Sequence, residues 1–352
     1  MEAETQYLPQ ELIIAILLGL PAKSLVRFKV VCKFWRSLIS DPDFARSHFE
    51  LAAPKLVFNI GLGIETKDLD GSLHSNLISK PIYYDFLSTF SPFRIVGSCR
   101  GFLLLCCKEK RLYLWNPSIH VHKPIPPSPI WAGLYGFGYD SSKDDYLIVI
   151  LSGTKGSSPC YSHVQIFSLR ANLWKLTQAA DSPHLINLPK GEPGLLFNAA
   201  IHWITYDYNK SIDVIMAFDL MERELLEIPG PVDVAHKISW QLWVHGEFLS
   251  LSCLGSDTIE IWVMEKYKIQ SSWTKSIVLS LNGFDWHSPI CSTRTGIIVM
   301  DDTTHFEGKL VRFSDEGEQL EHCVYPGYLE SIVPMYTESI FSFPLPDVCE
   351  QS

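Results

Sequence analysis

LYLWNP (Leu112–Pro117) is a β-type run that ends on an aromatic residue, and the same phrase returns four times as VQIFSL (Val164–Leu169), VIMAFDL (Val214–Leu220), IEIWVM (Ile259–Met264) and LVRFSD (Leu310–Asp315). The aromatic anchors Trp115, Phe167, Phe218, Trp262 and Phe313 stand 52, 51, 44 and 51 residues apart. An apolar run precedes each anchor (GFLLLCC, DDYLIVIL, NAAIHWI, EFLSLSC, TGIIVM), and a second strand follows it (HKPIP, LWKL, LLEIP, SWTKSI, QLEHC). Gly, Pro, Ser and Asp punctuate these runs, so the chain reads as all-β from Ala53 onward.

A period of roughly 45–50 residues with four strands per unit is the signature of a β-propeller, kelch repeats lying near the upper value. Five units fall between Val96 and Pro326. The remainders, residues 53–95 with LVFNI and residues 327–345 with SIVPMY and SIFSF, supply a sixth blade built from both ends of the domain. Six blades are therefore expected rather than five or seven. Two packed β-sandwiches are the structural alternative, but they do not predict this period. Closure in a ring removes the unpaired sheet edges that promote aggregation.

The first fifty residues differ in kind. In LPQELIIAILLGLPAKSLVRFKVVCKFWRSLISDPDF (Leu8–Phe44), Leu12, Ile13, Ile16, Leu17 and Leu20 recur at helical spacing. Pro9 suits a first turn, and Leu20-Pro21 ends the helix because the residue before proline leaves the α region. A second periodic stretch (Leu25, Phe28, Val31, Cys32) and a third (Trp35, Leu38, Ile39) follow, stopped at Asp41-Pro42. Three short helices of about 40 residues bury too little surface to be stable alone. Their apolar surplus reads as an interface for another protein. The expected division is a helical module at 1–50, the propeller at 53–345 and a tail at 346–352.

The helical segment resembles the F-box, by which substrate receptors dock on the Skp-type adaptor of Skp/cullin/F-box ubiquitin ligases. The resemblance rests on Leu8-Pro9, Glu11-Leu12, Ile16-Leu17, Leu20-Pro21, Ser24-Leu25, Arg27, Val31-Cys32, Trp35, Asp41-Pro42 and Phe44. It implies that Leu8, Pro9, Leu12, Ile16, Leu20, Pro21, Leu25, Val31, Cys32 and Trp35 bind the adaptor, although some of these must also form a local helical core. SCRGFLLLC, LYLWNPSIHVHKPIP, YGFGYDSSKDDYLIVIL, FNAAIHWIT and AFDLMERELLEIP resemble, in order, the F-box-associated propeller of plant F-box proteins. Together the resemblances imply a substrate-recognition subunit without catalysis of its own. The F-box would hold the adaptor, and through it cullin and RING subunits, while the propeller captures a target protein for ubiquitination and degradation. The alternatives are an F-box scaffold or decoy without ligase function, and a propeller that binds carbohydrate.

Composition limits the rest. The chain of 352 residues carries a net charge of −10. Residues 1–50 hold six acidic and six basic side chains, which leaves 33 acidic against 23 basic beyond them. Such a surface repels nucleic-acid phosphates. Lys23, Arg27, Lys29, Lys33 and Arg36 form a local basic cluster, read either as a solvated helix face or as a match to an acidic adaptor. No apolar run is long enough for a membrane helix, and the polar start MEAETQ is unlike a secretory leader. Nine scattered cysteines without a C-x-x-C fit reduced thiols in the cytoplasm or nucleus.

No catalytic, metal or cofactor constellation emerges. Gly97-Ser98-Cys99-Arg100-Gly101 has nucleophile-elbow spacing but reads as a tight turn, because an active thiol needs a base and an electropositive, partly exposed setting. His120 and His122 lack further ligands. Asp140, Asp144 and Asp145 lack the spacing of a calcium loop. Gly61-Leu62-Gly63 and Gly136-Phe137-Gly138 are too short for dinucleotide fingerprints. Recognition by a propeller lives in its blade connections, where large aromatics dominate interfaces. Trp131, Tyr135, Tyr161, Tyr206, Tyr208, Trp240, Trp286 and His287 are the candidate target-binding residues, blade-to-blade packing being the alternative for each.

Overall fold

In the computed structural model of the chain, the described residues are 8–59, 63–69, 71–73, 81–84, 86, 93–107, 111–129, 133–153, 162–178, 193–207, 211–234, 240–255, 257–280, 287–304, 307–326 and 335–344. Helices α1 (Gln10–Leu18), α2 (Ala22–Phe28), α3 (Lys33–Ile39) and α4 (Pro42–Leu51) come first. The sequence suggested three, because Asp41-Pro42 reads as a stop. It acts as a start. Asp41 Oδ1 accepts from the N–H groups of Asp43 (2.9 Å) and Phe44 (3.1 Å), and Pro42 occupies the first turn, where its missing donor costs nothing. Leu17, Ala22, Leu25, Ile39, Phe44 and Ala45 form the shared core. His48 Nε2 donates to Leu20 O at 2.8 Å and ties α4 to the corner between α1 and α2.

The remaining described chain forms six four-stranded antiparallel sheets. Blade 1 combines Met335–Thr337 with Pro54–Asn59, Gly63–Asp68 and Ile82–Tyr83; blade 2 holds Phe93–Cys99, Phe102–Cys107, Leu112–Asn116 and Val121–Ile125. Blade 3 holds Leu134–Asp140, Asp145–Gly153, Ser162–Ser168 and Leu173–Gln178; blade 4 holds Leu195–Phe197, Ala200–Asp207, Ile212–Asp219 and Leu225–Ile228. Blade 5 holds Trp240–His245, Phe248–Leu254, Thr258–Met264 and Trp273–Ser280; blade 6 holds His287–Thr293, Gly296–Thr304, Glu307–Phe313 and Gln319–Pro326. The first strands of neighbouring blades lie against one another around the axis. The chain is thus a helical module followed by a six-bladed propeller.

The propeller's core is distributed between blades. Every repeat anchor ends the third strand of its blade, is buried, and packs towards the preceding blade. Trp115 fills the seam between blades 1 and 2, Phe167 that between 2 and 3, and Phe218 that between 3 and 4. Trp262 and Phe313 serve the next two.

The sixth position has no aromatic. Lys67 pairs with Leu56 as Trp115 pairs with Leu103, so Lys67 occupies the anchor site of blade 1. It is buried, and its ammonium donates to Leu73 O. Arg312 of blade 6 crosses the same seam, donating to Leu69 O (2.7 Å) and Gly71 O (2.9 Å) while paired with Glu321 at 2.8 Å. Glu321 also accepts from Ser72 Oγ and Leu73 N. Burial pulls the Lys67 pKa down, whereas Cys323 and Glu321 act to raise it. Buried charge is tolerated here because Leu69 O, Gly71 O, Leu73 O and the Glu321 carboxylate accept from it.

The C-terminal end closes the ring. Pro54, Lys55 and Leu56 pair with Thr337, Tyr336 and Met335, and Lys55 Nζ reaches Glu338 at 2.7 Å. Residues 338–344 then run as a strap beneath blade 2. Asn116, wholly buried, donates from Nδ2 to Ser339 O (3.2 Å), Ser339 Oγ (3.1 Å) and Phe341 O (3.1 Å). Ser339 Oγ donates to Arg100 O at 3.0 Å, directly over Gly101, which has φ +80° and where any Cβ would overlap Ser339. Gly101 therefore serves both turn and strap.

Removing the Asn116 amide orphans these buried carbonyls, so Asn116→Ala is expected to lower stability by about 2–3 kcal/mol, read from urea unfolding midpoints. The seam between blades 4 and 5 adds a pH dependence. His202 Nε2 lies 2.8 Å from Tyr267 Oη and Nδ1 lies 3.3 Å from Leu195 O. Burial pushes the imidazole down from 6.5 to about 4. The unfolded chain takes up this proton below pH 6.5 and the folded chain refuses it. Stability is therefore whole above that pH and falls as the pH drops towards 4, by about 2 kcal/mol at pH 5. Urea midpoints at pH 7 and 5 should diverge more for the wild type than for His202→Gln; equal losses would assign the acid sensitivity elsewhere.

Candidate functional site

Two surfaces carry the residues singled out by sequence, and they lie on opposite sides of the propeller. On the helices, Leu8, Pro9, Leu12, Ile16, Pro21, Val31 and Cys32 are exposed, while Leu20 and Trp35 are half-buried. Leu8, Leu12, Ile16 and Val31 each keep more than half of their surface in solvent. Leu25 is different. It has no exposed surface and belongs to the helical core, so it supports the exposed helical surface from within. Its helix pairs it with Ala22 on the inward face, a distinction periodicity alone does not reveal.

Val30 and Phe34 join the exposed apolar set. The signal for them was the density of apolar residues in Phe28–Trp35, more than one helix face can bury. Cys32 explains why that stretch bends: its Sγ accepts from Trp35 N at 3.4 Å and caps α3. Lys23, Arg27, Lys33 and Arg36 are exposed around the patch and form no ion pair among the described residues. Lys29 is half-buried; burial lowers its pKa, and Arg36 lowers it further.

The helices sit on one face of the propeller, and the strap decides which. Ile340 enters the helical core beside Leu17 and Leu25, with Ile119 from the turn after the third strand of blade 2. Phe341 packs on Phe49 with ring centroids 5.6 Å apart, and the Arg100 guanidinium stands 4.5 Å over Phe341 and 3.9 Å over Tyr139. Phe343 reaches Phe102 at 5.0 Å. A cleft of about 210 Å³, lined by Pro21, Lys23, Thr66, His120 and Glu338, remains beside this junction. The helices thus cover the face that carries the turns Arg100-Gly101 and Pro117–His120.

The antiparallel blades put the start of each first strand and the end of each second strand on the other face. Tyr206, exposed at the end of a second strand, and Trp240 and His287, which open first strands, all stand there. Trp240 is half-buried, with Nε1 donating to Val234 O at 3.3 Å. Trp131, Tyr161, Tyr208 and Trp286 lie outside the described residues. Tyr135 does not belong to this surface. It is buried between blades 2 and 3, burial raises its pKa strongly, and its carbonyl accepts from Trp203 Nε1 at 2.9 Å. Aromatic identity at a strand start does not separate packing from display.

The other chemical motifs have structural occupations. Burial pushes the Cys99 thiol up to about 12, so no thiolate forms at neutral pH. His122 stacks on Phe86 at 4.1 Å. Asp140, without exposure, pairs with Arg223 at 2.6 Å and accepts from Ser142 N and Oγ. Asp145 accepts from Ser168 Oγ and Arg170 N. Among the described residues no group of three or more His, Cys, Asp or Glu is placed to hold a metal ion.

Truncations should separate core from surface. Leu25→Ala is expected to cost about 2–5 kcal/mol, whereas Leu12→Ala should stay within about 0.5 kcal/mol, as read by chemical denaturation of the full chain.

Comparisons with known proteins bear on both surfaces. Residues 58–327 match the family model of the F-box associated beta propeller domain, and residues 5–50 match an F-box-like model. An F-box/kelch-repeat protein of Arabidopsis thaliana is 30% identical over 317 residues, covering 83% of this chain and 84% of its own length. A putative F-box protein of the same plant is 30% identical over 285 residues, covering 80% and 76%. The Arabidopsis thaliana F-box protein CPR1 is 27% identical over 353 residues, covering 89% and 83%.

Proposed function

The chain belongs to the F-box proteins that carry an F-box associated β-propeller, and on that premise we propose that it is the substrate-recognition subunit of a Skp/cullin/F-box ubiquitin ligase. Its helices dock on a Skp-type adaptor, and through it on cullin and RING subunits. Its propeller captures a target protein on the face away from the helices. The contribution is proximity, which raises the effective concentration of target lysines near the charged conjugating enzyme without a covalent step in this chain.

The observation that carries the reading is the exposed apolar surface of α1 and of the turn into α3. Leu8, Leu12, Ile16, Val30, Val31 and Phe34 project from helices whose core is already closed by Leu17, Leu25, Phe44 and Ile340. A folded module gains nothing from such a patch unless a partner covers it. The basic side chains around it suit an acidic partner surface, which would speed encounter and fix register. None of the seven described cysteines is joined in a disulfide, in keeping with a cytoplasmic or nuclear protein.

The face opposite the helices suits the target for a geometric reason. A target bound there leaves the adaptor unobstructed, and the strap holds the two surfaces in one relation. Tyr206 and Trp240 are the described aromatics at that face.

Adaptor docking is best tested where folding is not at stake, so half-buried Leu20 and Trp35 are poor choices. Leu12→Asp combined with Ile16→Asp should abolish co-purification with a Skp-type adaptor while leaving the melting temperature of the chain within a few degrees of wild type. Retention of adaptor at wild-type yield would sink the docking assignment.

A further inference from the structure

The inner strands of blades 1, 2, 4, 5 and 6 line a cavity of about 350 Å³ on the propeller axis. Ile95, Leu195, Leu242, Val244, Ile290 and Met335 give it apolar walls. Ser98, Gln241 and Ser292 interrupt them, and no carboxylate, ammonium, guanidinium or imidazole stands among the described lining residues. The Ser98 and Gln241 side chains make no hydrogen bond to the protein among the described residues. Ser292 Oγ accepts from Gly246 N at 2.8 Å and retains its own hydrogen to donate.

Two further features mark this space. Each inner strand is the edge of its sheet, so alternate backbone N–H and C=O groups along it lack ladder partners. Two of the inner strands are also irregular. The register shifts between Ile95 and Gly97 in blade 2 and between Pro289 and Cys291 in blade 6, and both bulges stand in the cavity wall. Bulges re-aim side chains and are over-represented beside binding sites.

We propose that this axial cavity is a binding site for a small neutral molecule with an apolar body of two or three rings and one or two hydrogen-bonding groups. Size sets the upper limit: a dry apolar cavity of about 150 Å³ holds benzene, so a space more than twice as large takes fused or linked rings. Chemistry sets the rest. An ion would be buried here without a counter-charge, at a cost no contact offsets. A sugar would bring more hydroxyl groups than Ser98, Gln241, Ser292, the Trp243 indole N–H and a few strand-edge amides can satisfy. A largely apolar ligand buries its body against Leu242, Val244 and Met335 and places its polar atoms against Ser98, Gln241 or Ser292. The site lies outside the adaptor surface and does not depend on the ligase reading, so either can fail without the other.

The test is a fluorescence titration of the full chain with N-phenyl-1-naphthylamine, a neutral probe of matching size that brightens in apolar surroundings. Saturable, blue-shifted binding of one probe per chain is expected. Met335→Trp, at an exposed edge of the cavity, should weaken binding at least tenfold, and Val244→Phe, which fills it from another blade, should do the same. Leu12→Asp with Ile16→Asp should leave binding unchanged. Hydrogen exchange should slow at the amides of Trp240–His245 and His287–Thr293 when the probe saturates. Four results would each overturn the proposal: no saturable binding, binding indifferent to both filling variants, binding lost with the helix variant, or protection confined to residues outside these strands. A filling variant that lowers the melting temperature is replaced by the other, and the exchange measurement on wild-type protein decides independently of both.

Discussion

Ring closure is the constraint on which the rest of the molecule depends. A propeller has no central core, because each seam is filled by the side chains of two neighbouring blades. Every blade therefore relies on the next, and the first relies on the last. Here the bond is made late in the chain, when Met335, Tyr336 and Thr337 pair with Leu56, Lys55 and Pro54. Until those residues arrive, blade 1 lacks its inner strand and both blade 1 and blade 6 present an unprotected side.

The same C-terminal segment performs a second task. After the closing strand it continues as the strap, held by Asn116 and Gly101 of blade 2, and delivers Ile340 and Phe341 into the helical module. Four short helices thereby borrow part of their core from residues some 300 positions away. The exposed apolar surface of the helices is thus held against the propeller by packing rather than by a linker. For the proposed substrate receptor, whose contribution is proximity, such fixed placement is the useful property.

The closing seam is also chemically unlike the others. Five seams take a Trp or Phe anchor, whereas at the sixth Lys67, Arg312 and Glu321, with the carbonyls of Leu69, Gly71 and Leu73, add a polar layer to an apolar cluster that joins Leu56 and Ile64 to Ile298 and Leu310. Apolar seams are tolerant of register, since one buried methylene resembles another. Directed hydrogen bonds and an ion pair added to an apolar seam favour one alignment over its neighbours. It is placed where two distant parts of the chain must find each other.

Much of this was legible in the sequence. The repeat of anchors declared strands and period, because in five blades an aromatic near the end of the third strand fills the seam. The helical spacing of Leu12, Ile16 and Leu17 declared an amphipathic module with apolar surface to spare. The sixth blade was inferred only by subtraction, since Lys67 disguises its anchor and its strands come from both ends. Asp41-Pro42 does follow the end of α3, but its second role as the start of α4 was missed, because a breaker and a cap use the same residues and only the Asp41 hydrogen bonds reveal the cap. Leu25 and Tyr135 stood among the binding candidates with core packing as the alternative, and packing is what they do, because one-dimensional periodicity names a face without saying what lies against it. The strap, the polar seam, the axial cavity and the choice of face for the helices were decided by tertiary structure alone. Each depends on contacts between residues hundreds of positions apart, for which a sequence carries no local mark.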